Sequence, residues 1–231
     1  MYENEAEVGA AIAASNLPRT ELFVTTKVWH DQLAGDAFRR AFDASLSKLG
    51  LDHVDMYMIH WPSRGMNMAE VMESLMALKQ EGLARSIGVC NFNMPMLKEA
   101  ISVIGAPVAA VQVEYHPFLA QTELHGFLRQ HDIALTAYAP LAQGRAAQDE
   151  TLKRMGAKHG VSAAEVAIAW LIEQDGVIAI PKAQRLESQR ANLAALDVKL
   201  DSADRSAIAS LPKDQRYVQP PFAPDWNAST L

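Results

Sequence analysis

The chain of 231 residues has a single cysteine, Cys90, which excludes a disulfide framework and fits a reducing compartment. No apolar stretch approaches the ~20 residues that a membrane span needs. Basic residues come at most in pairs, with no Lys/Arg run, and the formal net charge is -6. Nucleic acid and anionic membranes are therefore not expected partners. There is no G-x-G-x-x-G or P-loop, and no low-complexity segment. The opening Met1-Tyr2-Glu3-Asn4-Glu5 is acidic, without the basic-then-apolar order of a signal peptide, so the expected location is the cytoplasm. His53, His116, His125, His131 and His159 show no close metal-ligand spacing. They read as surface or loop residues, and no metal is expected.

What is there is apolar and periodic. Hydrophobic residues make up 49% of the chain, enough for one substantial core, and the expectation is a single domain over residues 1–231. Helical and strand-like patterns alternate along its length. One helix runs from about Glu3 to Ala14, with Val8, Ala11 and Ile12 on one face. Another carries Phe38, Phe42, Leu46 and Leu49 and stops at Gly50. Asn93 caps a helix that tolerates Pro95 in its first turn and buries Leu97, Ile101 and Ile104. Ser162 and Glu165 form a capping box.

Six strand-like runs have polar ends at Lys27, His60, Asn91, Gln112, Tyr138 and Lys182. The clearest is Asp55 to Trp61, closed by Pro62, which cannot extend a ladder. A (β/α)8 barrel allots roughly 30 residues to each unit and does its chemistry at the C-terminal strand tips. The expected architecture is thus an α/β, (β/α)8 barrel whose first two strands and first helix lie upstream of Met1.

Three groups suit proton transfer: Tyr2, Lys27 and His60. A phenol has a pKa near ~10, and a neighbouring ammonium is expected to lower it. A neutral imidazole can orient a carbonyl oxygen. Protonating an oxygen that becomes an alkoxide fits this set, and the accompanying hydride would have to come from a nicotinamide. Each group also has a plainer reading, as a strand-end polar residue, and Tyr2, near a chain end, is expected to fray.

The segments Tyr2-Glu3-Asn4-Glu5, Thr26-Lys27-Val28-Trp29, Ile59-His60-Trp61-Pro62, Gly88-Val89-Cys90-Asn91-Phe92, Gln112-Val113-Glu114, Tyr138-Ala139-Pro140-Leu141 and Ile180-Pro181-Lys182 together resemble the aldo-keto reductases. Within that family the resemblance is to bacterial 2,5-diketo-D-gluconate reductases that also reduce methylglyoxal. It implies a (β/α)8 barrel, commonly monomeric, that reduces a ketone or aldehyde of a small dicarbonyl with NADPH, NADH being the alternative donor. Tyr2 would be the proton donor, Lys27 its pKa modifier and His60 the group that orients the carbonyl. Cys90, Asn91 and Gln112 would face the nicotinamide carboxamide, and Tyr138 would stack on the ring. Ala139, Leu141, Ala142 and Gln143 would cover the pyrophosphate. Lys182 and Ala183 would meet the adenosine 2′-phosphate, and Asn192 the adenine. Trp29, His60, Trp61 and the C-terminal tail would wall the substrate pocket.

The departures from the family pattern are also specific. The family's Asp a few residues before the Tyr would fall upstream of Met1. Cys90 and Ala183 stand where serines are usual. Ser188 stands where an Arg is usual, with Arg185 and Arg190 nearby. The rival reading is a barrel that binds a nucleotide or a protein partner without turnover.

Overall fold

Strand β2, Val54–Ile59, is buried at all six positions. In the computed structural model, which describes residues 1–228, it is flanked by β1 (Thr25–Val28) and β3 (Ala84–Cys90) in parallel register. Tyr57 turns to the helical side, where Phe38 and Phe42 of α2 (Asp36–Leu49) meet its ring edge-on at centroid distances of 5.8 and 4.8 Å. The i, i+4 spacing of those phenylalanines puts both on one helix face. The chain leaves α2 through Gly50, whose φ of 65° is left-handed and favours glycine.

Asp55 interrupts the apolar run, and its burial is matched by partners. The carboxylate accepts from the Val24 amide at 2.8 Å and pairs with Arg19 at 2.7 Å and Arg85 at 3.0 Å. A buried charge needs that degree of compensation.

The chain groups into two compact units, residues 1–111 with 221–231, and 112–220. The first holds α1 (Glu5–Ala14), β1, α2, β2, α3 (Met68–Gln80), β3, the short α4 (Met94–Leu97) and the start of β4 (Val108–Glu114). The second holds the end of β4, then α5 (Thr122–Gln130), β5 (Ala134–Tyr138), α6 (Glu150–His159), α7 (Ala163–Ile172), β6 (Val177–Ala179), α8 (Leu186–Ala194) and α9 (Ser202–Ala209). The six strands follow chain order in the sheet, and β5 and β6 are again parallel. Six strands were expected, and six are present among the described residues.

The helix caps follow the expected chemistry. Asn93 accepts from the Met96 amide ahead of α4, and Ser162 and Glu165 close the capping box of α7. Asp201 and Asp204 make a second box at α9. A core of Phe118, Leu152, Met155, Val166, Ala167, Leu200 and Ile208 packs the second unit.

Five expectations need correction. The buried residue of α1 is Gly9, while Val8 and Ala11 are exposed. A side chain at Gly9 would meet the Leu49 carbonyl, so the absence of one is what lets α1 approach the end of α2. After Leu97 the chain widens into a π-helical turn, Lys98–Val103, which leaves Ile101 and Ile104 only half-buried. Gln112 lies inside β4 and not at its end, which is Glu114. Lys182 lies three residues past β6, because Ile178 and Ile180 are exposed and the buried strand is short. His116 is no surface residue: it is fully buried, its Nε2 3.0 Å from the Glu114 carboxylate.

Candidate active site

In the first unit, register decides which side chains share a face. Lys27 pairs with Met58 across the β1–β2 ladder, and His60 lies two residues beyond Met58. Alternation along a strand therefore points Lys27 and His60 the same way. The His60 amide donates to the Val28 carbonyl at 2.9 Å, which fixes the tip of β2 against the end of β1. Gly88 sits beside Met58 in β3, and a Cβ there would lie 2.7 Å from both the Ala110 carbonyl oxygen and the Met58 methyl carbon. The bare glycine keeps this face close-packed.

Tyr2, Lys27, Trp29 and His60 line one cavity of about 340 Å³. The Tyr2 ring is tilted over His60 at a centroid distance of 5.6 Å, and Trp29 meets His60 edge-on at 5.1 Å. Tyr2 thus packs on the imidazole, though the residue is 65% exposed. Glu5 ties α1 to this wall, accepting from the Thr26 hydroxyl at 2.7 Å.

His60 is only 9% exposed, and burial, reinforced by the Lys27 charge and the chain's amino terminus, lowers its pKa to about 4. It is a neutral imidazole at neutral pH. The Tyr2 phenol moves opposite to expectation. Partial burial raises its pKa, Cys90 adds to the rise, and Lys27 does not reverse it. The phenol is held protonated.

Cys90 is fully buried, with its sulfur 3.9 Å from that of Met58, and burial pushes its thiol up to about 12. Asn91 adopts a left-handed φ of 61°, and its Nδ2 donates to the His60 carbonyl at 2.9 Å. The residue expected to meet a cofactor therefore also pins the His60 backbone. Trp61 is buried, and Phe222 of the tail lies edge-on to Trp61 at 5.6 Å and to Trp29 at 5.7 Å.

In the second unit Gln112 is buried within β4, and Tyr138 ends β5, its carbonyl accepting from the Tyr115 amide at 3.2 Å. Beyond it, strain concentrates. Ala139, Ala142 and Gln143 have positive φ of 47°, 49° and 54°, conformations that non-glycine residues rarely adopt. This is the segment expected to cover a pyrophosphate. Next to it Leu141, Lys182, Ala183, Arg185, Ser188 and Asn192 line an open groove of about 560 Å³.

Sequence reasoning missed Glu114 and His30. Glu114 is fully buried, and its carboxylate accepts from the Tyr217 and Val218 amides at 2.8 and 2.9 Å as well as meeting His116. Burial pushes its pKa up, but these hydrogen bonds outweigh that and hold it below the ordinary range. His30 stacks on Phe222 at 4.1 Å. The i, i+2 spacing of Glu114 and His116 was the available signal, since extended chain points side chains two residues apart the same way.

Residues 1–213 match the model of the aldo/keto reductase family. The chain is 40% identical to methylglyoxal reductase DkgB of Escherichia coli O157:H7, over 98% of this chain and 86% of that one. A crystal structure assigned to a 2,5-diketo-D-gluconic acid reductase B superposes with a TM-score of 0.94 at 41% identity, covering 98% of this chain and 82% of the other. An aldo/keto reductase from Klebsiella pneumoniae, solved with NADP and acetate, superposes at 0.83 with 31% identity, over 92% of this chain and 77% of the other.

Proposed function

Because the chain belongs to the aldo/keto reductase family and is thereby an NAD(P)H-dependent oxidoreductase, we propose that it reduces one carbonyl of a small dicarbonyl, of the methylglyoxal or 2,5-diketo-D-gluconate kind, with NADPH. The observation that carries this reading is the convergence of Tyr2, Lys27 and His60 on one cavity of about 340 Å³.

Each residue has a role its state suits. Tyr2, held protonated, is the acid that hands its proton to the carbonyl oxygen. His60, neutral and buried, donates a hydrogen bond to that oxygen and orients it. Lys27 supplies positive charge on the same face, which favours the phenolate left after proton transfer. Asn91 holds the His60 backbone in place. Trp29 lines the same cavity, and the buried Trp61 joins it through Phe222, so these rings are assigned to the substrate wall.

A bound nicotinamide would supply the hydride. The second unit, taken by itself, has features that suit the phosphates and adenine of a dinucleotide. Lys182 and Arg185 bring two cations to the groove, suited to a 2′-phosphate, with Asn192 available for an adenine. Ala183 and Ser188 line the same groove and add no charge to it. The strained Ala139–Gln143 turn is a conformation kept where backbone must approach a ligand. Gln112 and Tyr138 are assigned to the nicotinamide amide and ring.

The test is NADPH oxidation with methylglyoxal, followed by the loss of NADPH absorbance. Tyr2→Phe is expected to lower kcat by about 100-fold or more while leaving NADPH affinity within about twofold. Turnover of the variant close to wild type would defeat the assignment. Binding of NADPH without oxidation by the wild type would instead favour a non-catalytic nucleotide-binding role.

A further inference from the structure

The tail segment 221–228 carries no helix or strand, yet it brings two large rings to the site. Within the segment the Asn227 and Ala228 amides turn back to Asp225, and without a ladder the rest of its backbone needs other partners. Two side chains of the first unit do so. The exposed Arg64 donates from Nη2 to the Pro221 carbonyl at 2.9 Å. Asn93 donates from Nδ2 to the Asp225 carbonyl at 2.8 Å. Both bonds go to backbone oxygens, so they hold the segment whatever its side chains are.

The rings lie within and just after this span. Phe222 stacks on His30 and meets Trp29 and Trp61 edge-on. Trp226 meets Trp61 at 6.2 Å. Trp29 in turn touches His60. Phe222 is thus one ring removed from His60, out of reach of a three-carbon substrate and within reach of one bearing an aromatic group.

We propose that Arg64 and Asn93 are positioning residues that clasp the segment 221–225 from its two ends and so set how large carbonyl substrates are held. This inference rests on the reductase reading, because it concerns the wall of that site.

Two substitutions separate the clasp from the fold. Arg64→Ala removes one donor at an exposed position. Asn93→Asp removes the other donor but keeps an oxygen for the Met96 amide, so α4 stays capped. The experiment compares KM and kcat for methylglyoxal and 4-nitrobenzaldehyde in the wild type and the double variant, with tryptophan emission recorded alongside. The double variant is expected to raise KM for 4-nitrobenzaldehyde about fivefold or more, the worth of a net hydrogen bond. Its kcat for that substrate and its KM for methylglyoxal should stay within about twofold. Emission should shift to the red as Trp61 and Trp226 separate. A KM ratio between the two substrates that stays within about twofold of wild type overturns the proposal, whatever the emission does. If the wild type oxidises no NADPH with either aldehyde, the reductase reading fails. Unchanged emission in the double variant then overturns the clasp as well.

Discussion

Glu114 shows how much one residue can organise. Its carboxylate is fully buried, and each oxygen accepts a tail amide. His116 bonds the same carboxylate and stacks on Tyr217 at 5.4 Å, and Arg145 lies over the other part of that contact, 3.9 Å from the Tyr217 ring centroid. Glu114→Gln keeps the shape and removes the charge. The amide can accept at one oxygen only, and its NH2 group would then face a backbone N–H. Leaving a buried donor unsatisfied costs roughly 1–3 kcal/mol, and losing a charge-assisted bond adds to that. The variant is expected to lose about 2–4 kcal/mol in urea unfolding, with Glu114→Asp losing less if one tail amide is still reached. A loss below about 0.5 kcal/mol would show that the network contributes nothing net. Its spacing from His116 is the only local signal, and it says nothing of the tail: Tyr217 and Val218 stand more than a hundred positions away.

Elements were legible where periodicity and burial agree. The apolar run up to His60 is a strand buried on both faces, and its proline closes it as expected. The capping boxes and the phenylalanine pair of α2 follow from local chemistry and spacing. The misreadings occur where packing overrides pattern. Val177 to Lys182 looks like a buried strand, but Ile178 and Ile180 face solvent and the ladder stops at Ala179. In α1 the apolar Val8 is exposed, and the element packs through Gly9. The Leu49 carbonyl oxygen would lie 2.4 Å from a Cβ at that position, closer than such contacts are tolerated, and backbone cannot swing aside as a side-chain tip does. Gly9→Ala would gain up to about 1 kcal/mol of helix propensity. The clash should exceed that gain, for a net destabilisation of about 1–3 kcal/mol. It would also move Glu5, which bonds Thr26 beside Lys27, so kcat should fall with stability. An alanine variant as stable as wild type would mean that α1 is not seated on α2 through this glycine.

At the scale of the whole molecule, acid acts on several buried groups in the same direction. The pKa of His60 is lowered to about 4 in the folded chain, while an unfolded histidine titrates near ~6.5. Between those values the unfolded state binds more protons, so stability rises with pH across this window and is lost as pH falls through it. The contribution is on the order of 2–3 kcal/mol, complete above about pH 6.5. Three carboxylates extend the trend lower. Burial pushes Asp55, Glu114 and Asp204 up, but their bonds to Arg19, to His116 and the tail amides, and to Lys158 and His159 outweigh it and hold all three below the ordinary range. What they contribute is present above the unfolded carboxylate value near ~4 and is lost as pH falls through their folded values. Acid loss should therefore come in two stages, His60 first and the carboxylates after it. Urea unfolding at a series of pH values separates them. His60→Gln keeps a hydrogen-bonding side chain that does not titrate, so its midpoint should stay nearly level between about pH 6.5 and pH 4, where the wild type declines, and fall only below that. If wild type and variant decline in parallel through the upper window, the neutral buried imidazole is not what links stability to pH, and the protonation state assigned to the carbonyl-orienting residue falls with it.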